Sequence, residues 1–166
     1  MPDIKLGSLF DGIGVFPLAA SRCGIRPVWA SEIEKAPISI TKRHFPEMEH
    51  LGDITKVDGG KIEPVHVLTF GSPCQNLSLI GNRSGLAGAK SSLFYQAFRI
   101  VHEMRDATDN LYPVILVWEN VMGAFSTNDR MDFRAVLSAF ADTEVPMPPS
   151  GRWGNAGMVR GGTPDV

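Results

Sequence analysis

Short apolar runs alternate along this chain with segments whose apolar residues recur at helical spacing, and that alternation narrows the fold more than any other feature. IKLGSLF (4–10), IRPVWASE (25–32), VHVLTF (65–70) and PVILVWEN (113–120) read as strands, with a shorter piece around LGDI (51–54) as another. VFPLAASRC (15–23), a stretch from Lys35 to His44, SLFYQAFRIVHEMR (92–105) and DRMDFRAVLSAFA (129–141) read as helices between and after them. In the third of these, Leu93, Phe94, Ala97, Phe98, Val101 and Met104 fall on one helical face. Strands buried on both faces read as nearly continuous apolar runs, so the pattern predicts an α/β fold: a mostly parallel sheet with helices on both faces. The boundaries divide the chain into a domain over 1–141 and a Pro/Gly-rich loop or tail over 142–166, where no apolar period survives.

Composition bounds the rest. At 166 residues the chain is large enough for one sizeable core. No apolar run approaches the length of a membrane span and the start lacks a secretory leader. Two cysteines make no disulfide framework and suit a reducing cytoplasm, and the four histidines show no metal-ligand spacing with them, so no metal is expected. The formal net charge is −2, without a dense basic run. A chain that grips nucleic acid alone usually shows a basic face, because neutralising phosphates supplies much of its affinity.

Five loops at strand ends carry candidate chemistry. In SLFDGIGVFPLAA (8–20), Gly12 and Gly14 allow a tight turn and close approach of backbone to a ligand. Pro17 stands where a dinucleotide fingerprint has its third glycine, so the turn suits a nucleoside ligand without a pyrophosphate as well as a plain tight turn. Glu32, closing the second strand, sits where such folds place an acid on ribose hydroxyls; taken alone it reads as a surface glutamate at a strand end. Asp53 could accept from an adenine amine or merely cap a turn. In GSPCQNLS (71–78), Cys74 can be a nucleophile if its thiol pKa is lowered, or a packed cysteine, the fate expected of Cys23. In WENV (118–121), Glu119 at the end of VILVW would be partly desolvated and able to hold a proton, or would cap the next helix. Cys74 and Glu119 are expected to face one crevice.

FDGIG, Glu32, GDI, GSPCQNLS and WENV, in this order and strand context, resemble the DNA (cytosine-5) methyltransferase family from about Leu6 to Val121. The resemblance implies a Rossmann-like, S-adenosylmethionine-dependent methyltransferase fold, incomplete at its C-terminal end. It implies that Cys74 adds to carbon 6 of a flipped-out cytosine while Glu119 holds ring nitrogen 3, so that carbon 5 accepts the methyl group. Pro73 and Gln75 would shape the nucleophile's loop and Asn120 would position the acid's turn. The implied cofactor set is Phe10, Asp11, Gly12, Gly14, Glu32, Ile33, Asp53, Ile54 and Leu93. Double-stranded DNA is the implied substrate, a restriction endonuclease a candidate companion, and the cytoplasm (the nucleoid in a bacterium or phage host) the implied location. Oligomeric state stays open.

The chain carries no Gln-x-Arg-x-Arg stretch and no target-recognition region, which the family has. It therefore reads as an amino-terminal portion that does not methylate DNA unaided. Competing readings are a nicotinamide-dependent oxidoreductase, which shares the glycine turn and Glu32 but needs neither Pro-Cys-Gln nor Glu-Asn-Val, and a non-catalytic cofactor-binding or oligomerisation fragment.

Overall fold

The computed structural model describes residues 3–71, 93–120 and 127–154. They belong to two compact units, one formed by 1–73 with 93–119 and the other by 74–92 with 120–166. The first unit holds β1 (Lys5–Leu9), α1 (Val15–Arg22), β2 (Arg26–Ser31), α2 (Lys35–His44), β3 (Glu49–His50), β4 (Val67–Phe70), α3 (Leu93–Ala107) and β5 (Ile115–Trp118). Its sheet has the order β3-β2-β1-β4-β5, and all four pairings are parallel.

The third strand falls earlier than the sequence suggests. Glu49 and His50 pair with Trp29 and Ala30, while the LGDI stretch turns away. Gly52 has φ 71°, and Asp53 begins a 3-10 turn over Ile54–Lys56. An aspartate that accepts from the backbone two residues on favours a turn over a ladder.

Strand order reverses direction between β1 and β4, and right-handed crossovers then send α1 and α2 to one face and α3 to the other. Packing agrees. On the first face Ala20 of α1 covers the register partners Leu6 and Val67. On the second, Phe70 meets Phe98 edge-on at 5.8 Å and Phe94 at 6.3 Å between ring centroids. Cover on the α1 face ends at β5: Leu6 is 3 % and Val67 8 % exposed, but Ile115, next in the same row, is 52 %. Gly7 serves the core by having no side chain. A Cβ there would lie 2.2 Å from the indole of Trp29, which is fully buried with its N–H donated to the Glu63 carbonyl at 2.8 Å.

Cys23 corrects an expectation: it is exposed, not packed. The buried positions of α1 are Pro17 and Ala20, and the helix closes at Arg22. Cys23 is already the C-cap, and Gly24, at φ 73°, turns the chain away directly after it, so Cys23 does not follow Ala20 into the core.

In the second unit, a 3-10 turn over Thr127–Arg130 leads into α4 (Met131–Ala141). Residues 142–154 form no helix or strand, yet they are tied back to α4. Arg134 donates to the Val145 carbonyl at 2.7 Å and pairs with Glu144, and the Val145 N–H donates to Ser138 Oγ. Arg130 holds the Gly151 carbonyl at 2.9 Å, and Phe133 meets Trp153 edge-on. None of the described helices is long and apolar enough to cross a membrane.

Candidate functional site

Open parallel sheets bind ligands beyond the carboxyl ends of their strands, where strand order reverses. Here that point lies between β1 and β4. The turn after β1 runs through three left-handed residues, Phe10 (φ 55°), Gly12 (57°) and Gly14 (84°). Gly14 caps α1, and a Cβ on it would press to 2.7 Å from Thr41 of α2. Gly12 faces open space, with nothing within 4 Å of where its Cβ would stand.

Glu32 locks this turn to the end of β2. Its Oε2 accepts from the Gly12 N–H at 2.8 Å, and its Oε1 from the N–H groups of Ile33 (2.7 Å) and Glu34 (3.0 Å). A carboxylate offers about four acceptor positions, so about one remains for a ligand hydroxyl. This bracing duty was not legible in the sequence, because it depends on three backbone N–H groups converging in space.

Asp11 contrasts with it. Only 5 % exposed, it has both oxygens without a hydrogen-bond partner among the described residues, and Ser8 Oγ is also buried and unpaired. Burial pushes the Asp11 carboxyl up to about 6; the Ser8 hydroxyl nearby offsets part of that, and the Glu32 charge adds to it. The hydroxyl is thus close enough to act on the charge but lacks hydrogen-bond geometry. A buried carboxyl without donors needs either a proton or a cationic group.

A cleft of about 360 Å³ opens at these strand ends, within the size of small-molecule sites. It brings together Phe10, Glu32, Ile33, Asp53, Ile54 and Leu93, all singled out in the sequence, while Asp11, Gly12 and Gly14 do not line it. Ser31, Glu34 and Gly71 line it without having been foreseen. Ser31 could have been suspected as a small polar residue ending an apolar strand; it is buried and donates to the Gly52 carbonyl at 2.7 Å, tying β2 to the Asp53 turn. Asp53 caps its turn through Oδ1, which accepts from the Thr55 N–H and Oγ1 at 3.0 and 2.8 Å. The Thr55 hydroxyl and then its N–H hold the Asp53 carboxyl below the usual range, so it is ionised at neutral pH. Its Oδ2 receives no such bond among the described residues, leaving an acceptor for a ligand.

Glu119 does not line the cleft; it follows β5, and its N–H donates to the Phe70 carbonyl at 3.0 Å. A Cβ on Gly71 would come 3.1 Å from Glu119 Oε2, so the missing side chain makes room for the carboxylate. Glu119 is exposed, against the expected desolvation, because VILVW ends on the sparsely covered edge strand. Asn120 is half-buried. Pro73, Cys74 and Gln75 lie outside the described residues, as does Val121.

The fold and the site's placement thus define a class, the Rossmann-like methyltransferases. The particular family follows from comparison: the model for C-5 cytosine-specific DNA methylases matches residues 4–144, and the chain belongs to that family. It is 34% identical to the DNA N-6-adenine-methyltransferase of Escherichia phage P1 over 92% of this chain and 21% of that protein. It is 30% identical to the orphan methyltransferase M.SPRI of Bacillus phage SPR (86% and 32%) and 33% identical to the type II methyltransferase M.HhaI of Haemophilus parahaemolyticus (76% and 36%). The chain therefore spans between a fifth and about a third of the length of these relatives. A crystal structure of a prophage-encoded DNA modification methyltransferase (E. coli) shares the fold at a TM-score of 0.61 and 20% identity, covering 84% of this chain and 38% of that one.

Proposed function

We propose that this chain is the donor-binding core of a DNA cytosine-5 methyltransferase, with S-adenosylmethionine as methyl donor. One observation carries the reading: a single cleft at the sheet's switch point joins apolar walls (Phe10, Ile33, Ile54, Leu93) to two carboxylates at strand ends, Glu32 and Asp53. That donor set fits an adenosyl group. Asp53 Oδ2 can accept from an exocyclic amine, the remaining acceptor position of Glu32 from a ribose hydroxyl, and the apolar side chains can flank the base. Bound there, the donor supplies an electrophilic methyl group.

The chain's own groups would do the rest. The Cys74 thiolate adds to carbon 6 of an extruded cytosine, and the Glu119 carboxyl holds a proton at ring nitrogen 3, which takes up the charge that addition creates. Carbon 5, now nucleophilic, accepts the methyl group; loss of its proton and release of Cys74 restore the ring. Gly71 supports the role of Glu119 by leaving its carboxylate room beside the strand that leads to Cys74. DNA is the proposed substrate, and its phosphates would need basic groups beyond this chain's net charge of −2. Alone, the chain is expected to bind donor without methylating duplex DNA.

Calorimetric titration with S-adenosylmethionine and with NAD tests the donor: heat with the first and none with the second is expected, and preference for NAD would replace this reading with an oxidoreductase. Incubation with tritiated donor and duplex DNA tests the rest. Label on cytosine carbon 5 would overturn the expected inactivity of the lone chain, and label on adenine N6 would overturn the choice of base.

A further inference from the structure

We propose that Arg99, working with Glu103, is a positioning residue for the adenine end of the cleft: from α3 its guanidinium grips the carbonyls of the turn that carries Asp53. The assignment rests on the donor reading above. Nη2 donates to the Ile54 carbonyl and Nη1 to the Val57 carbonyl, each at 2.8 Å. Nε donates to Gln96 Oε1, and Nη1 also meets both oxygens of Glu103 at 2.8 Å. Glu103 in turn accepts from the Gly59 N–H at 2.7 Å. An exposed ion pair one helical turn apart contributes little by itself. This pair differs because its other bonds leave the helix and reach backbone groups more than 40 residues away in sequence.

The segment fits flush against the helix. A Cβ on Gly59 would stand 2.4 Å from the Ile100 carbonyl oxygen, so only glycine permits the approach that brings its N–H to Glu103. Leu93, at the start of the same helix, lines the cleft together with Asp53 and Ile54 of the turn. Two pieces of the cleft wall are thereby fixed to one rigid element. The planar fork is what the geometry requires: lysine carries the charge but cannot reach two carbonyls and a carboxylate in one plane. Arg99 touches no cleft-lining side chain through these bonds; it acts through the backbone of the Asp53 turn.

The test is calorimetry on the whole chain with S-adenosylmethionine and with its analogue lacking the exocyclic amine of adenine. Arg99→Ala should weaken the natural donor about tenfold and the analogue less than about twofold, and combining it with Asp53→Ala should cost no more than Asp53→Ala alone, since residues that act through one contact do not add. Arg99→Lys and Glu103→Gln should show the same selective loss in part, and they carry the test if the alanine variant unfolds. Amide exchange at Lys56 and Val57 should quicken in each variant without any ligand. Unchanged affinity, an equal loss for both ligands, or additivity with Asp53→Ala would overturn the assignment while leaving the donor reading intact. A wild-type chain that binds neither ligand would overturn both.

Discussion

At the ends of β1 and β2, three backbone N–H groups converge on Glu32, and Ser31 and Arg99 pin the Asp53 turn from two sides. At the ends of β4 and β5, by contrast, the Glu119 carboxylate stands exposed beside Gly71, and the sheet face at Ile115 and Val117 is open. The same strands and the same parallel ladder produce both ends, so the difference lies in what side chains do with the loops. Where the methyl donor is proposed to bind, carboxylates are committed to backbone donors. Where chemistry on a second substrate is proposed, the acid is left uncommitted. Pre-arranged polar groups bind without the cost of ordering at the moment of binding.

Substitutions can break this contrast, and the most severe should be Gly7→Val. The indole of Trp29 occupies the space a side chain would need, so the braced half should lose more than about 3 kcal/mol, read as a collapse of the urea midpoint. Next, Glu32→Ala strands the N–H groups of Gly12, Ile33 and Glu34 and should cost about 1–3 kcal/mol in urea titrations. Donor affinity should fall with it, whereas Glu119→Ala should spare both.

The pH dependence sharpens the comparison within the braced half. Because Asp11 titrates at about 6 in the fold and near 3.8 when free, the folded state keeps its proton through a range where the unfolded chain has lost it. Its contribution is therefore full below about pH 4 and is lost as pH rises to about 6. Asp11→Asn should remove that slope and leave the protein about 3 kcal/mol more stable at pH 7.5, measured by urea unfolding at several pH values. A slope unchanged by the substitution would place the titration elsewhere. The smallest effect belongs to the open side: Ile115→Thr should stay within about 0.5 kcal/mol, although Leu6→Ala in the same row costs about 2–4 kcal/mol.

The sequence displayed the frame well because strands buried on two faces and amphipathic helices leave different periods. Eight of the helices and strands begin and end within two residues of their expected positions. β3 escaped because two residues carry no period, and because the apolar tip of LGDI belongs to a capped turn. The cleft's acids were visible as charges closing apolar runs. Their hydrogen bonding was not, since Glu32 meets Gly12 and Glu103 meets Gly59 only after folding joins distant segments. Cys23 misled because a place at the end of α1 without polar company does not ensure burial once the helix has closed at Arg22.

The seating of Trp29 has a practical consequence. A fully buried indole, seated against Gly7 and hydrogen-bonded to the Glu63 carbonyl, should emit at short wavelength, and unfolding should shift that light to the red. Trp118, half-buried and meeting Phe94 of α3 edge-on, sits in a different environment on the edge strand. With Trp153 also replaced, exchanging one or the other would leave a single intrinsic fluorophore, reporting on the interior of the sheet from Trp29 or on its edge strand from Trp118.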